Sequence, residues 1–228
     1  MSKQQQISDE QQRAQQLLMK EAVENMHNEQ LSLFWKKYKY LVYTLIVALV
    51  LGVAGIEAYK THKSRVLLQD SDTYEQAAVL NAKGKTQEAL DKYASLQNAN
   101  TNYKYLSMLR RAGILFEQNE NEQALSLLKT VYDDKSAPEV IRTIALFGYA
   151  SNQIETLPPE QIHTMIVPYL VAGNPFYGSA TELEIVLLVR QNKQNEAVSL
   201  IDQALTISSL SSATKERLTV MKQALTHK

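Results

Sequence analysis

The 228-residue chain balances 24 lysines and arginines against 24 aspartates and glutamates, which argues against a nucleic-acid binder, because such proteins carry a basic surplus that releases counterions from phosphates. Seven glycines and five prolines are too few for a β-sandwich or barrel with a turn about every ten residues, so long helices joined by short connections are expected. The chain has no cysteine, which removes disulfides, thiolate metal sites, cysteine nucleophiles and a lipid-anchoring cysteine while leaving the compartment open.

Residues 1–38 form a leader rich in glutamine and charge. Ser8 followed by Gln11 fits a capping box at a helix start. Ala14, Leu18, Ala22 and Met26 then repeat every four residues, with Leu17 beside them, which predicts a modest amphipathic stripe. Two readings stay open here: a docking helix for a partner or the membrane surface, and a solvated helix leading into the next segment.

Residues 40–56, YLVYTLIVALVLGVAGI, are seventeen positions without a charge, about 25 Å as a helix, at the lower limit for crossing a hydrocarbon core. Phe34, Trp35, Tyr38 and Tyr40 cluster at the start and Tyr59 follows the end; aromatic rings of this kind sit at headgroup level. Lys36, Lys37 and Lys39 stand outside one end, with Lys60 and Lys63 outside the other, where their long stems snorkel to the interface. A buried core helix and a cleaved signal peptide are the alternatives, but a leader of about 39 residues is far longer than a usual signal n-region. Residues 39–59 are therefore expected to be an uncleaved transmembrane signal anchor. Lys20, Lys36, Lys37 and Lys39 on one side against Lys60, Lys63 and Arg65 on the other favour an inside amino terminus by a single charge. Glu57 falls where the span meets the interface.

Residues 60–228 hold a degenerate repeat. GKTQEALDKY (84–93), NENEQALSLL (119–128) and NKQNEAVSLI (192–201) each have a turn-like residue, an alanine five later and a bulky apolar residue four beyond it. Ala89, Ala124 and Ala197 carry the small site; Tyr93, Leu128 and Ile201 carry the bulky one. The spacings are 35 and 73 residues, one and two periods of a helix pair. A helix that crosses its partner closely needs a small residue there, and a short turn between helices favours glycine or asparagine, as at Gly84, Asn119 and Asn192. Ala77, Ala112 and Ala145 supply the small site on first helices. Residues 138–150 and 158–170 are expected to form the third, irregular pair, with Ile162 and Ile166 in the apolar slots and Pro168 kinking or ending the helix. Asn174–Pro175 opens the last pair, and residues 213–226 close the array as a cap. The period of two helices is that of tetratricopeptide repeats. The expected fold is all-α: one transmembrane helix followed by a helical-repeat array.

Stacked pairs form a curved array whose first helices line the concave side. Projection of those helices puts Tyr74, Asn81, Phe116, Glu117, Arg142, Tyr149 and Arg190 there as candidate partner-binding residues. Each of them could equally be a packing residue or a solvated charge. Catalytic chemistry has no counterpart. His27, His62, His163 and His227 form no ligand pair, and no phosphate loop or nucleophile elbow occurs. Asp133–Asp134 sit at an expected turn. No metal site, cofactor, catalytic residue or small-molecule substrate is expected.

The sequence FWKKYKYLV (34–42) ahead of the span, the repeats after it, and GNPFYGSATELEIVLLVRQNKQNEA (173–197) near the end together resemble the membrane-anchored tetratricopeptide-like proteins that include the ancillary subunit of the SecYEG translocon. The resemblance covers residues 28–226. It implies a cytoplasmic amino tail, one span in a bacterial inner membrane and a periplasmic repeat domain. It also implies contact with the translocon, periplasmic chaperones or newly exported chains, and no catalytic residue. The long glutamine-rich leader departs from such tails, which are usually shorter. The function expected is a non-catalytic adaptor that holds partner or client segments near the export channel. An envelope scaffold for division or cell-wall assembly is the alternative.

Overall fold

The computed structural model describes the backbone of residues 3–226 and the side chains of residues 19, 20 and 34–226. The chain divides into two compact units, Met1–Arg65 and Val66–Lys228. The first helix, α1 (Lys3–Ala82), contributes to both; each unit is described on its own.

In the first unit α1 begins at Lys3, so Ser8 lies inside the helix and not at its cap. The stripe of Ala14, Leu17, Leu18, Ala22 and Met26, and His27, lie outside the residues whose side chains are described. From Phe34 onward the helix carries a window of mean hydropathy 2.2, none of it buried by the described chain. Among the described residues, one helix, this one, is long and apolar enough to cross a membrane. Leu45, Leu49 and Leu51 are each more than 60% exposed, part of a contiguous apolar surface of the kind that marks a membrane or protein contact. At its start Phe34 and Tyr38 lie 4.8 Å apart and Trp35 meets Tyr43 edge-on at 6.0 Å. The ammonium groups of Lys37 and Lys39 lie 5.4 and 5.0 Å from the ring centres of Tyr38 and Tyr40. The expected collar of rings and cations is thus assembled on one helix.

The second unit is all-helical among the described residues. After the end of α1 come α2 (Thr86–Ala94), α3 (Tyr103–Glu117), α4 (Asn121–Asp133), α5 (Glu139–Asn152), α6 (Pro159–Ile166), α7 (Tyr177–Arg190), α8 (Gln194–Leu205) and α9 (Ser212–Thr226). They form four pairs and a closing helix. Neighbours in sequence pack on each other from α2 to α6 and from α6 through α7 and α8 to α9.

Three of the four pairs are joined by the same turn. Gly84, Asn119 and Asn192 adopt φ of 75°, 63° and 58°, the left-handed conformation that ends helices. At Gly84 its own N–H bonds the carbonyl of Asn81 and the next N–H, of Lys85, reaches back to Leu80. Asn119–Glu120 and Asn192–Lys193 repeat both bonds, onto Phe116 and Leu115 and onto Val189 and Leu188. The pattern satisfies carbonyls that a helix end would leave unpaired. The small sites Ala77, Ala89, Ala112, Ala124, Ala145 and Ala197 are all fully buried, as are Ile162, Ile166 and Ile201. A methyl is all that the crossing points admit, which fixes the register of each pair.

The third pair departs from the rule, as its sequence predicts. No left-handed residue ends α5; its chain leaves through Gln153, whose N–H bonds the carbonyls of Tyr149 and Ala150. Pro138 precedes α5 as its cap residue instead of lying within it, and Pro159 is the first residue of α6. The α6 helix stops at Ile166 and tightens into a 3₁₀ turn, Val167–Tyr169, around Pro168, which has no N–H to continue the ladder. The Asn174 side-chain oxygen accepts the N–H of Phe176 at 2.8 Å, so Asn174–Pro175 form the turn that leads into α7. His163 ties α6 to α7 through Nδ1, 2.8 Å from Glu184 Oε2. His227 lies outside the described residues.

Candidate functional site

A cavity of about 290 Å³ opens between the last turns of α1 and the second half of α3, lined by Asn81, Ala78, Leu109, Arg110, Gly113 and Glu117, with Tyr93 and Ile114 behind them. Both helices are first members of their pairs, so the cavity lies on the helix set that the repeat pattern assigns to the concave side. The short side chains Ala78 and Gly113 leave the room. A Cβ added at Gly113 would meet nothing within 4 Å.

The polar rim is held from below. The Tyr74 ring packs 5.2 Å from Tyr93 and 5.4 Å from Tyr103, and the Tyr103 hydroxyl donates to Ser71 Oγ at 2.8 Å. Arg110 Nε–H donates to the fixed Tyr74 hydroxyl at 3.1 Å. That bond holds the Arg110 guanidinium protonated above its already high range, while burial, with help from Tyr74, pushes the Tyr93 phenol up. Both groups keep their physiological protonation states. The site is a fixed cation, an amide at Asn81 and a carboxylate at Glu117 around an apolar floor.

The structure therefore brings Asn81 and Glu117 into one pocket and joins Tyr74 to it through Arg110. It does not bring the other four candidates there. Phe116 is half-buried against the first core cluster. Tyr149 is half-buried too, with its ring edge-on to Tyr132 at 5.4 Å. Arg142 is half-buried, and its Nε has no hydrogen-bond partner among the described residues. Arg190 is engaged within the fold. Its Nη1 donates to the carbonyls of Ile154 and, at 3.3 Å, Leu157, while Nη2 donates to that of Glu155 at 3.3 Å. It clamps the long α5–α6 loop where the regular turn is missing.

Sequence reading does not place Arg110 at the site, and it gives Tyr93 only as the bulky residue of its repeat. Arg110 lies 36 residues after Tyr74, one repeat on, and stands beside Arg111 on α3. That doubled cation was the signal available. Arg111 has Nε and Nη1 buried without a hydrogen-bond partner among the described residues.

A family model for the tetratricopeptide repeat-like domain matches residues 33–226. The chain belongs to that family, whose repeat domains are protein-interaction modules. A search of curated proteins returned no match.

Proposed function

We propose that this protein is a non-catalytic adaptor of the bacterial inner membrane whose repeat domain binds partner or client polypeptides near the Sec translocon. Residues 1–38 form the cytoplasmic leader, residues 39–59 the transmembrane signal anchor, and residues 60–228 a periplasmic repeat domain closed by the C-terminal capping helix. The observation that carries the reading is the α1–α3 pocket on an interaction-module fold, in a chain with one helix apolar enough to anchor it. An anchor would raise the local concentration of the pocket at the channel exit, so even weak contacts would be occupied. Tyr74, Asn81, Glu117 and Arg110 form the binding rim. Phe116 and Tyr149 support it by packing, and Arg142 offers a donor farther along the first helices.

Two experiments test it. Protease added to intact spheroplasts should digest the repeat domain and spare the leader; protection of the repeat domain would overturn the topology. A photo-cross-linker at Asn81 in living cells should give adducts with translocon subunits, periplasmic chaperones or exported proteins. Adducts with division or wall-synthesis proteins instead would make the chain an envelope scaffold. Adducts from the leader or span alone would move the function out of the repeat domain.

A further inference from the structure

The two ends of the apolar run on α1 are not alike. Beyond the carboxyl end, Lys60, Lys63 and Arg65 share their stretch with Glu57 and Asp70 and with one ring, Tyr59. At the amino end, Lys36, Lys37 and Lys39 lie among Phe34, Trp35, Tyr38 and Tyr40, and no aspartate or glutamate occurs from residue 30 to residue 56. The acid before them in sequence, Glu29, precedes Lys36 by seven residues. That is about 10 Å along a helix, beyond the roughly 8 Å over which exposed charges feel each other at physiological salt.

A helix turns by about 100° per residue, so Trp35, Lys36, Lys39, Tyr40 and Tyr43 fall within an arc of about 140° and share one face. Trp35 and Tyr43 stand one turn before and one turn after Lys39, and their rings meet edge-on at 6.0 Å. Among the described residues from 34 to 65, only Tyr38, Lys39 and Val42 are partly covered. Lys39 is thus the one partly covered cation at either end of the run, with its ammonium 5.0 Å from the Tyr40 ring centre. Lys36 lies three residues before it, about 4.5 Å along the axis, a neighbour on the helix surface. Lys37 points away from this face and lies over Tyr38 at 5.4 Å.

We infer that this face binds an anionic phospholipid, its phosphate on Lys36 and Lys39 and its glycerol and upper acyl chains against Trp35 and Tyr43. The inference rests on the reading of α1 as a membrane span and names the lipid that the amino end of the span selects. Depth decides for a lipid. The two cations border seventeen uncharged residues, which sets them at the level of headgroup phosphates, while Tyr43 lies inside the run and reaches the acyl boundary. Charge decides the headgroup. A zwitterionic headgroup carries its own cation beside the phosphate, and two ammonium groups repel it. A phosphatidylglycerol headgroup carries none and keeps its full negative charge. Each lysine near an anionic surface strengthens binding about fivefold, so two on one face discriminate measurably.

The chain has one tryptophan, and it stands on this face, so Trp35 fluorescence reports the lipid beside it. The test places the full chain in phosphatidylcholine vesicles with a minor share of brominated phosphatidylglycerol or of brominated phosphatidylcholine, the bromines near the top of the acyl chains, where they quench a nearby ring. Brominated phosphatidylglycerol should occupy the position beside Trp35 at least fivefold more tightly than brominated phosphatidylcholine. Lys36→Gln with Lys39→Gln should bring that ratio close to one, whereas Lys36→Arg with Lys39→Arg should keep it. Lys37→Gln, and Lys60→Gln with Lys63→Gln at the other end, should change it less than twofold. Circular dichroism of each variant in vesicles checks that the helix is retained. Equal quenching by the two lipids would overturn the inference, leave the span reading standing and make an acidic protein segment the occupant to test. A loss of preference in Lys37→Gln as large as in Lys36→Gln or Lys39→Gln would also overturn it, because a diffuse surface attraction would then replace a site. Absence of quenching by either lipid would put Trp35 outside the bilayer and overturn the span reading together with the inference.

Discussion

Gly113 and Gly178 both lie on first helices of their pairs, in opposite surroundings. At Gly178, on α7, an added Cβ would lie 2.9 Å from Thr214 Cγ2 and 3.4 Å from Leu210 Cδ2, because the closing helix α9 begins directly against it. At Gly113, on α3, the same atom would meet nothing. One glycine is required by a closed seam, and the other keeps a seam open. The difference separates a seam the fold closes from one it leaves open. Closed seams cross at fully buried alanines, and the open one is rimmed by Arg110 and Glu117, which form no ion pair among the described residues.

Substitutions at the closed seams should have the largest effects. Ala124 is fully buried at a crossing point, so Ala124→Leu should cost about 1–3 kcal/mol. For a domain of this size each kcal/mol lowers Tm by roughly 2–4 °C, read by circular dichroism of the full chain in detergent. An unchanged Tm would mean the register of the pairs is wrong. Arg190→Ala should cost about 1 kcal/mol, since three loop carbonyls lose their donor. Arg190→Lys should rescue little, because a single ammonium cannot serve three carbonyls in a fork.

The two glycines themselves give smaller effects of opposite sign. Gly178→Ala should lower Tm through the contact with Thr214, whose hydroxyl is held 2.9 Å from Ser211 Oγ and so resists moving. Gly113→Ala should raise stability by up to about 1 kcal/mol, the helix-propensity difference between the two residues. Shifts of the same sign would show that the seams do not differ.

The smallest effect is a pH dependence at the α4–α5 turn. Asp134 Oδ1 accepts the hydroxyl and N–H of Ser136, and Oδ2 accepts the Tyr105 hydroxyl. These bonds favour the carboxylate and hold its pKa down at about 2. A depressed folded pKa means a contribution present above the ordinary value of 3.8 and lost as pH falls from there toward 2. Asp134→Asn should therefore flatten the acid limb of a plot of Tm against pH in that window. An identical acid limb in wild type and variant would remove Asp134 from the account.

The repeat was readable because its signals are local. Ala89, Ala124 and Ala197 recur at fixed distance from Gly84, Asn119 and Asn192, and those turns close within six residues. The longer loop and early helix end of the third pair were also marked, by Pro158, Pro159 and Pro168. The candidate site was less readable, because its determinants cross between repeats. Projection of single helices put Tyr74, Phe116 and Tyr149 on an open face, whereas rings and core residues of other helices cover much of each. Arg190 spends its donors on backbone carbonyls more than thirty residues away, and a carbonyl leaves no mark in a sequence. Arg110 gains its meaning from Tyr74 one repeat earlier, a pairing that periodicity suggests but does not specify.

If partners use the open seam while the closed seams hold the fold, filling the open seam should abolish contact and leave the fold intact. Gly113→Leu adds a side chain into empty space on a helix, so Tm should hold or rise, while cross-linking from a photoreactive residue at Asn81 in living cells should fall to background. Wild-type levels of the same adducts in a folded Gly113→Leu protein would contradict the claim.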